Sequence, residues 1–151
     1  MKLKLEDWTC LASLGLSAMF VTLLLSFYNF LIGPQGDGPE RVVDPGSLLL
    51  QLVFISAAPC LVLAGFGFWM AKTHGTRIGG MSLIAAGIVM IAGMAAGLPM
   101  LQKIPNQYIV GAVGVAPYFF IAAGVGVAAA GGYLFAMSIK RPISNNLDDL
   151  R

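Results

Sequence analysis

Residues 104–139 read IPNQYIVGAVGVAPYFFIAAGVGVAAAGGYLFAMSI, and no Asp, Glu, Lys, Arg or His interrupts them. A helix that crosses a membrane needs about 20 apolar residues, because the hydrocarbon core is about 30 Å thick and a helix rises about 1.5 Å per residue. The stretch therefore predicts a membrane-spanning helix that is longer than a bilayer requires. We expect such a helix to tilt, to kink or to extend beyond the membrane.

Three further stretches lack ionisable side chains in the same way: residues 8–36, 45–71 and 78–102. Hydrophobic residues make up 58% of the chain and charged residues 11%, a more apolar balance than soluble domains have. We therefore expect a single membrane domain over residues 1–151, an all-α integral membrane protein built as a four-transmembrane-helix bundle that packs tightly through small residues. The expected spans are residues 8–32, 46–71, 78–100 and 106–139, with an outer loop at 33–45 and a cytoplasmic tail at 140–151.

Lysine and arginine are distributed unequally between the two ends of these spans. The side that both termini share carries Lys2, Lys4, Lys72, Arg77, Lys140, Arg141 and Arg151. The opposite side carries only Arg41 and Lys103. Cytoplasmic segments of membrane proteins are enriched in Lys and Arg, so the sequence predicts a multi-pass protein with both termini in the cytoplasm. Tyr28 then falls at the outer interface, where tyrosine commonly anchors a span.

Prolines lie inside two of the predicted spans, Pro59 in the second and Pro117 in the fourth. A proline has no backbone N–H, so Pro117 leaves the carbonyl of Val113 without its helical partner. We expect neighbouring helices, Ser56 or Tyr118 to supply the missing hydrogen bonds. Pro59, Pro117 and Tyr118 therefore mark a candidate kink or ligand notch, and ordinary helix packing is the simpler interpretation.

Small residues recur at helical spacing in the third and fourth spans. Gly93 and Gly97 are four residues apart, as are Gly124, Ala128 and Gly132. Small residues four apart allow two helix backbones to approach closely inside a membrane. These five positions are the candidate helix-packing surface. They serve either the packing of this bundle or the docking of another membrane protein.

The remaining candidates for chemistry are few. Lys72, His74 and Arg77 form a basic inner loop that suits the phosphate of a lipid headgroup. Cys10 and Cys60 fall at different predicted depths, so two buried thiols are expected rather than a disulfide. Acidic residues are confined to the N-terminal segment, the outer loop and the tail, and no catalytic, metal-binding, cofactor-binding or nucleic-acid-binding motif is present. The sequence therefore predicts a protein that is not an enzyme and binds no cofactor, metal or nucleic acid.

By elimination, the sequence favours a non-catalytic accessory or structural subunit of a larger membrane protein complex. A respiratory or other membrane-bound oxidoreductase assembly is the kind of complex expected. The partners would be other integral membrane subunits, which pack on the Gly and Ala faces, and lipids. This hypothesis accounts for the uncharged spans and for the many small residues together.

Two alternatives stay open at the level of sequence. One is a small homo-oligomeric transporter or pore for a neutral substrate, with a path lined by Tyr118, Asn29, Gln51 and Ser56. The other is a lipid or quinone pocket at the Pro59 and Pro117 kinks, lined by Phe119, Phe120 and Tyr118. Polar side chains gathered on one inward face would favour the transporter.

Overall fold

A computed structural model describes residues 5–34, 36, 38–39, 43–74 and 77–140, and within these ranges it leaves out the side chains of Glu6, Thr73, His74 and Lys140. All regular structure in the described part of the chain is helical. The predicted loop acids Asp37 and Glu40, the basic residues of the N-terminus and the tail from residue 141 onward lie outside the described residues.

Five α-helices and two short helical turns make up the described part of the chain. They are α1 (Leu5–Ile32), α2 (Pro45–Leu52), a π-helical turn (Val53–Ala57), α3 (Ala58–His74), α4 (Arg77–Leu101), a 3-10 turn (Asn106–Tyr108) and α5 (Gly111–Lys140). Because α2, the π-helical turn and α3 run on without a break, four helical segments are long and apolar enough to cross a membrane. These segments are Asp7–Ile32, Pro45–Lys72, Arg77–Leu101 and Gly111–Ile139. The prediction of an all-helical chain with four candidate spans is confirmed.

Local chemistry explains where α2 begins, and an irregular segment of backbone precedes the start of α5. The Asp44 carboxylate accepts a hydrogen bond from the N–H of Gly46 at 3.1 Å, and Pro45 occupies the first helical position, where no N–H is needed. α5 begins at Gly111, later than the expected start of the fourth span at residue 106. The intervening chain forms the 3-10 turn and then leaves helical geometry at Ile109, whose φ and ψ are −81° and 77°.

The π-helical turn lies directly before Pro59. Its wider hydrogen-bonding pattern appears in the N–H of Ala58, which bonds to the carbonyl of Val53, five residues earlier. The Ser56 hydroxyl, which is buried, donates to the carbonyl of Leu52 at 2.8 Å within the same segment. A π-helical turn is one of the known causes of a helix bend, and here it accompanies the proline.

The helices follow the order α3, α1, α4, α5 around the bundle. α4 and α5 make the most extensive contact, α1 packs against both α3 and α4, and α3 touches α5 only slightly. One core cluster includes Phe20 and Phe120, whose ring centroids are 4.5 Å apart, with Met90 between neighbouring helices. A second cluster, closer to the end of α3, is built largely of smaller side chains such as Ala64 and Ala86. Large side chains therefore fill the core at one end of the bundle, and mostly small side chains fill it at the other end.

Candidate functional site

A groove of about 260 Å³ opens between α3 and α5, where the bundle is thin. Its lining residues are Leu61, Ala64, Gly65 and Phe68 of α3, Leu83 of α4, and Ala123, Gly126, Val127 and Ala130 of α5. Gly65 and Gly126 are exposed, and no atom lies within 4 Å of where a Cβ would stand on either of them. The groove exists because small residues on both helices leave this space unfilled.

Aromatic residues lie near both ends of the groove. Towards the start of α5, Phe120 is buried in the core against Phe20. Towards the end of α5, Phe68 of α3 and Tyr133 of α5 approach each other, with ring centroids 6.2 Å apart. The groove is therefore a short opening in the side of the bundle and does not run along it as a channel would.

None of the nine lining residues has a polar side chain. Pockets for small polar molecules usually contain a few polar groups that fix the ligand's orientation, and their volumes are usually about 300–1,000 Å³. This groove is slightly smaller and purely apolar. Its chemistry suits hydrocarbon, which is held by complementary shape and dispersion contacts.

The carbonyl that Pro117 frees is satisfied by a residue of another helix. The hydroxyl of Tyr28 on α1 donates to the carbonyl of Val113 at 3.2 Å, and Tyr28 is completely buried. The expectation of help from a neighbouring helix is confirmed, but the donor is neither Ser56, which bonds within its own helix, nor Tyr118, which is 62% exposed. Tyr28 does not face outward as an aromatic anchor at the interface would, since its ring and hydroxyl are buried inside the bundle.

A second buried polar contact joins α1 to α3. The Ser13 hydroxyl donates to the carbonyl of Cys60 at 3.2 Å, and the Cys60 thiol donates to the carbonyl of Ser13 at 3.3 Å. Cys60 and Cys10 are both buried and reduced. The thiol of Cys60 therefore has a structural role, because its hydrogen bonds with Ser13 join α1 to α3.

The five small residues predicted from their spacing lie on different surfaces. Gly93 and Gly97 are buried against α1, where a Cβ would meet Val21 in the first case and Tyr28 in the second. Gly124 and Ala128 face α4. Gly132 faces open space, because no atom lies within 4 Å of where its Cβ would stand. Four of the five therefore pack inside this chain.

The closest helix crossing uses glycines that the sequence reasoning missed. A Cβ on Gly80 or Gly87 of α4 would meet the backbone of α5, and a Cβ on Gly131 would meet the backbone of α4. Gly80 and Gly87 are seven residues apart, as are Gly124 and Gly131, so the two pairs match across the antiparallel helices. Spacing of seven, in addition to spacing of four, was the signal that could have revealed them.

A further set of small residues lies on the outward surface of α5. We call this set the α5 outer stripe: Ala122, Gly126, Ala129 and Ala136, all of which are exposed. The three alanines are spaced by seven residues, which places them on one face of the helix. This face differs from the one that packs on α4.

The basic residues of the predicted headgroup site lie where α3 ends and α4 begins. Lys72 is in the last turn of α3, Arg77 is the first residue of α4, and both are exposed. His74 is the last residue of α3, and its side chain lies outside the described residues. The structure therefore brings at least two of the three residues to the same end of the bundle.

The residues proposed for a pore or for a kink pocket do not share one inward face of the bundle. Asn29 and Gln51 are exposed, as is Tyr118, whereas Ser56 is buried. Pro117 is buried, Phe119 is exposed, and Phe120 is part of the core. The groove described above lies further along α3 and α5 than either proline.

No protein-family model matches the chain, and no curated protein and no solved structure matches it. What the protein does must therefore follow from its own residues.

Proposed function

We propose that the protein is a multi-pass membrane protein with both termini in the cytoplasm, and that it serves as a non-catalytic accessory subunit of a larger membrane protein complex. A membrane-bound oxidoreductase assembly is the kind of complex we have in mind. The observation that carries the proposal is the α5 outer stripe, a small-residue face that stays exposed after the bundle has made its own glycine contacts.

Gly126 of the α5 outer stripe has a cost in an isolated bundle. Glycine is about 1 kcal/mol less favourable than alanine in a helix interior, and a face that meets only lipid gains nothing from it. A face of alanines and glycine lets a second helix approach closely, so that dispersion and weak Cα hydrogen bonds hold the pair together. The stripe on α5 is therefore better suited to another helix than to lipid.

The distribution of charge favours an accessory subunit over a subunit that carries protons, ions or catalytic groups. The acidic and basic residues of the four candidate spans are Asp7, Lys72 and Arg77, each at the end of its span. Proton relays and ion paths in membranes are usually built from ionisable side chains within the spans. Chemistry in a complex that contains this chain would then be supplied by the other subunits.

Orientation is tested by labelling with a maleimide that does not cross membranes. Gln107, which is exposed within the 3-10 turn, is replaced by cysteine in one variant, and a cysteine is appended after Arg151 in another. We expect Gln107→Cys to react in intact cells and the appended cysteine to react only after permeabilisation. Wild-type protein is the control, because its Cys10 and Cys60 are buried. The reverse pattern would overturn the assigned orientation.

Membership of a complex is tested by purification from native membranes in a mild detergent through a C-terminal tag. We expect stoichiometric partner subunits with the wild-type protein and their loss with Ala122→Leu or Ala129→Leu, because leucine prevents close helix approach. Ala92→Leu, which adds the same bulk to an exposed position on α4, is the matched control and should retain the partners.

A wild-type protein that elutes alone would contradict the accessory role. If it eluted as a homo-oligomer, the transporter would become the better hypothesis, and substrate flux into liposomes would then test it.

A further inference from the structure

We propose that the groove between α3 and α5 binds one hydrocarbon chain of an anionic membrane lipid, and that Lys72 holds the lipid's phosphate with Arg77 nearby. The site requires only that the chain lies in a membrane. It does not depend on the accessory role. The groove and the α5 outer stripe share Gly126, but Gly65 and Ala130 line only the groove, so the groove can be altered without changing Ala122 or Ala129 of the stripe.

The dimensions of the groove fit a single hydrocarbon chain. Its α3 wall extends from Leu61 to Phe68, a rise of roughly 10 Å. One leaflet of a bilayer contributes roughly 15 Å of hydrocarbon, so a chain lying in the groove would be covered over most of its length. The Phe68–Tyr133 pair narrows one end. A flexible hydrocarbon chain can fit into a groove that is closed at one end. A second helix fits it less well, because its side chains form a continuous ridge.

Lys72 lies on the same face of α3 as the groove. Leu61, Gly65, Phe68 and Lys72 are separated by four, three and four residues, which is the spacing of one helical stripe. Lys72 is roughly 6 Å beyond Phe68 along the helix, and a lysine stem can extend further while its ammonium group stays in the headgroup region. Along α3 the apolar groove comes first and the positive Lys72 comes next. A lipid has the same arrangement, a hydrocarbon chain and then a phosphate.

The second positive side chain and the aromatic pair are placed consistently with this assignment. Arg77 is exposed at the start of α4, at the same end of the bundle as Lys72. Tyr133, which is 51% exposed, lies between the groove and this basic end, and tyrosine favours the boundary between hydrocarbon and headgroups. Basic residues at that boundary attract anionic lipids.

The test measures lipid binding by native mass spectrometry of the full chain in detergent. The probes are a phosphatidylglycerol and a phosphatidylcholine with identical acyl chains, added in turn. We expect one tightly bound phosphatidylglycerol and binding of phosphatidylcholine that is roughly fivefold weaker. Lys72→Gln should bring phosphatidylglycerol to the phosphatidylcholine level. Equal binding of the two lipids, unaffected by Lys72→Gln, would overturn the headgroup assignment.

Groove-filling variants test the hydrocarbon site separately. Gly65→Leu and Ala130→Leu should weaken the binding of both lipids several-fold, because a leucine takes the place of about two methylenes of the chain and removes their dispersion contacts with the groove. Gly15→Leu is the matched control, since Gly15 is exposed on α1 with no atom near its Cβ position, and it should bind lipid as the wild type does. Circular dichroism confirms that each variant is helical. Unchanged binding in the filled variants, or a wild-type dimer that these variants abolish, would overturn the site.

Discussion

Gly87→Ala should weaken the packing of α4 on α5. An added Cβ would lie 2.5 Å from the carbonyl oxygen of Gly124 and 2.6 Å from the backbone nitrogen of Ala128. Backbone atoms cannot move aside as a flexible side chain can, so the two helices must separate by roughly 1 Å to reach ordinary contact. A separation of that size forfeits a quarter to a half of each atom–atom attraction.

The energetic cost follows from the number of contacts at the crossing. We take about 25 atom pairs, roughly half of what one buried leucine makes, at about 0.1–0.2 kcal/mol each. Losing a quarter to a half of that attraction costs about 0.6–2.5 kcal/mol. Alanine also returns up to about 1 kcal/mol of helix propensity, which partly masks the loss. Gly126→Ala gains the same propensity without a clash, because no atom lies within 4 Å of its Cβ position.

The difference in stability between Gly87→Ala and Gly126→Ala therefore measures the packing energy that is lost between α4 and α5. Thermal unfolding in detergent can be followed with a maleimide dye that fluoresces on reaction with a thiol, because Cys10 and Cys60 are fully buried in the folded protein. Taking about 1.5 kcal/mol, the middle of the range for the packing loss, and about 2–4 °C per kcal/mol for a domain of this size, we expect Gly87→Ala to unfold roughly 3–6 °C below Gly126→Ala. Equal midpoints would refute the close backbone contact between α4 and α5.

The buried polar contacts support further predictions. Tyr28→Phe should destabilise the protein by about 1 kcal/mol, because the Val113 carbonyl loses its donor. In a Pro117→Ala background the helix can supply its own N–H to Val113, so the same Tyr28→Phe change should cost less in thermal unfolding; an equal cost in both backgrounds would mean that the hydroxyl does not compensate for the proline. Ser13→Ala should cost about 0.6 kcal/mol and speed maleimide labelling of Cys60 in the folded state, whereas labelling at the wild-type rate would contradict the paired arrangement.

The sequence predicted the helices well because their length and lack of charge are properties of each segment alone. The start of α5 was less predictable. Ile109 and Val110 are apolar like the helix that follows, so hydropathy does not separate them from α5 and does not place its start at Gly111. The departure from helical geometry at Ile109 depends on the local backbone instead.

The inward and outward faces of the helices could not be predicted from hydropathy. A span that is apolar all round has no polar side to mark its exposed surface, so the helical period carries little information about rotation. Tyr28 is an example, because its burial beside Val113 depends on how α1 turns toward α5. The groove is another, since it results from how far α3 and α5 diverge. Glycine spacing was informative, because close backbone approach needs small residues wherever it occurs.

The hydrogen bond between Tyr28 and Val113 also has a consequence for biosynthesis. It joins the first helix to the last, across 85 residues of chain. The tyrosine is made long before its acceptor, so until α5 arrives its hydroxyl must find water, lipid headgroups or another protein. The carbonyl of Val113, one helical turn before Pro117, meets the same problem until α1 closes against it. Completion of the bundle therefore satisfies two polar groups at once, and a chain that stalls before α5 would keep a polar group in hydrocarbon that quality-control machinery can recognise.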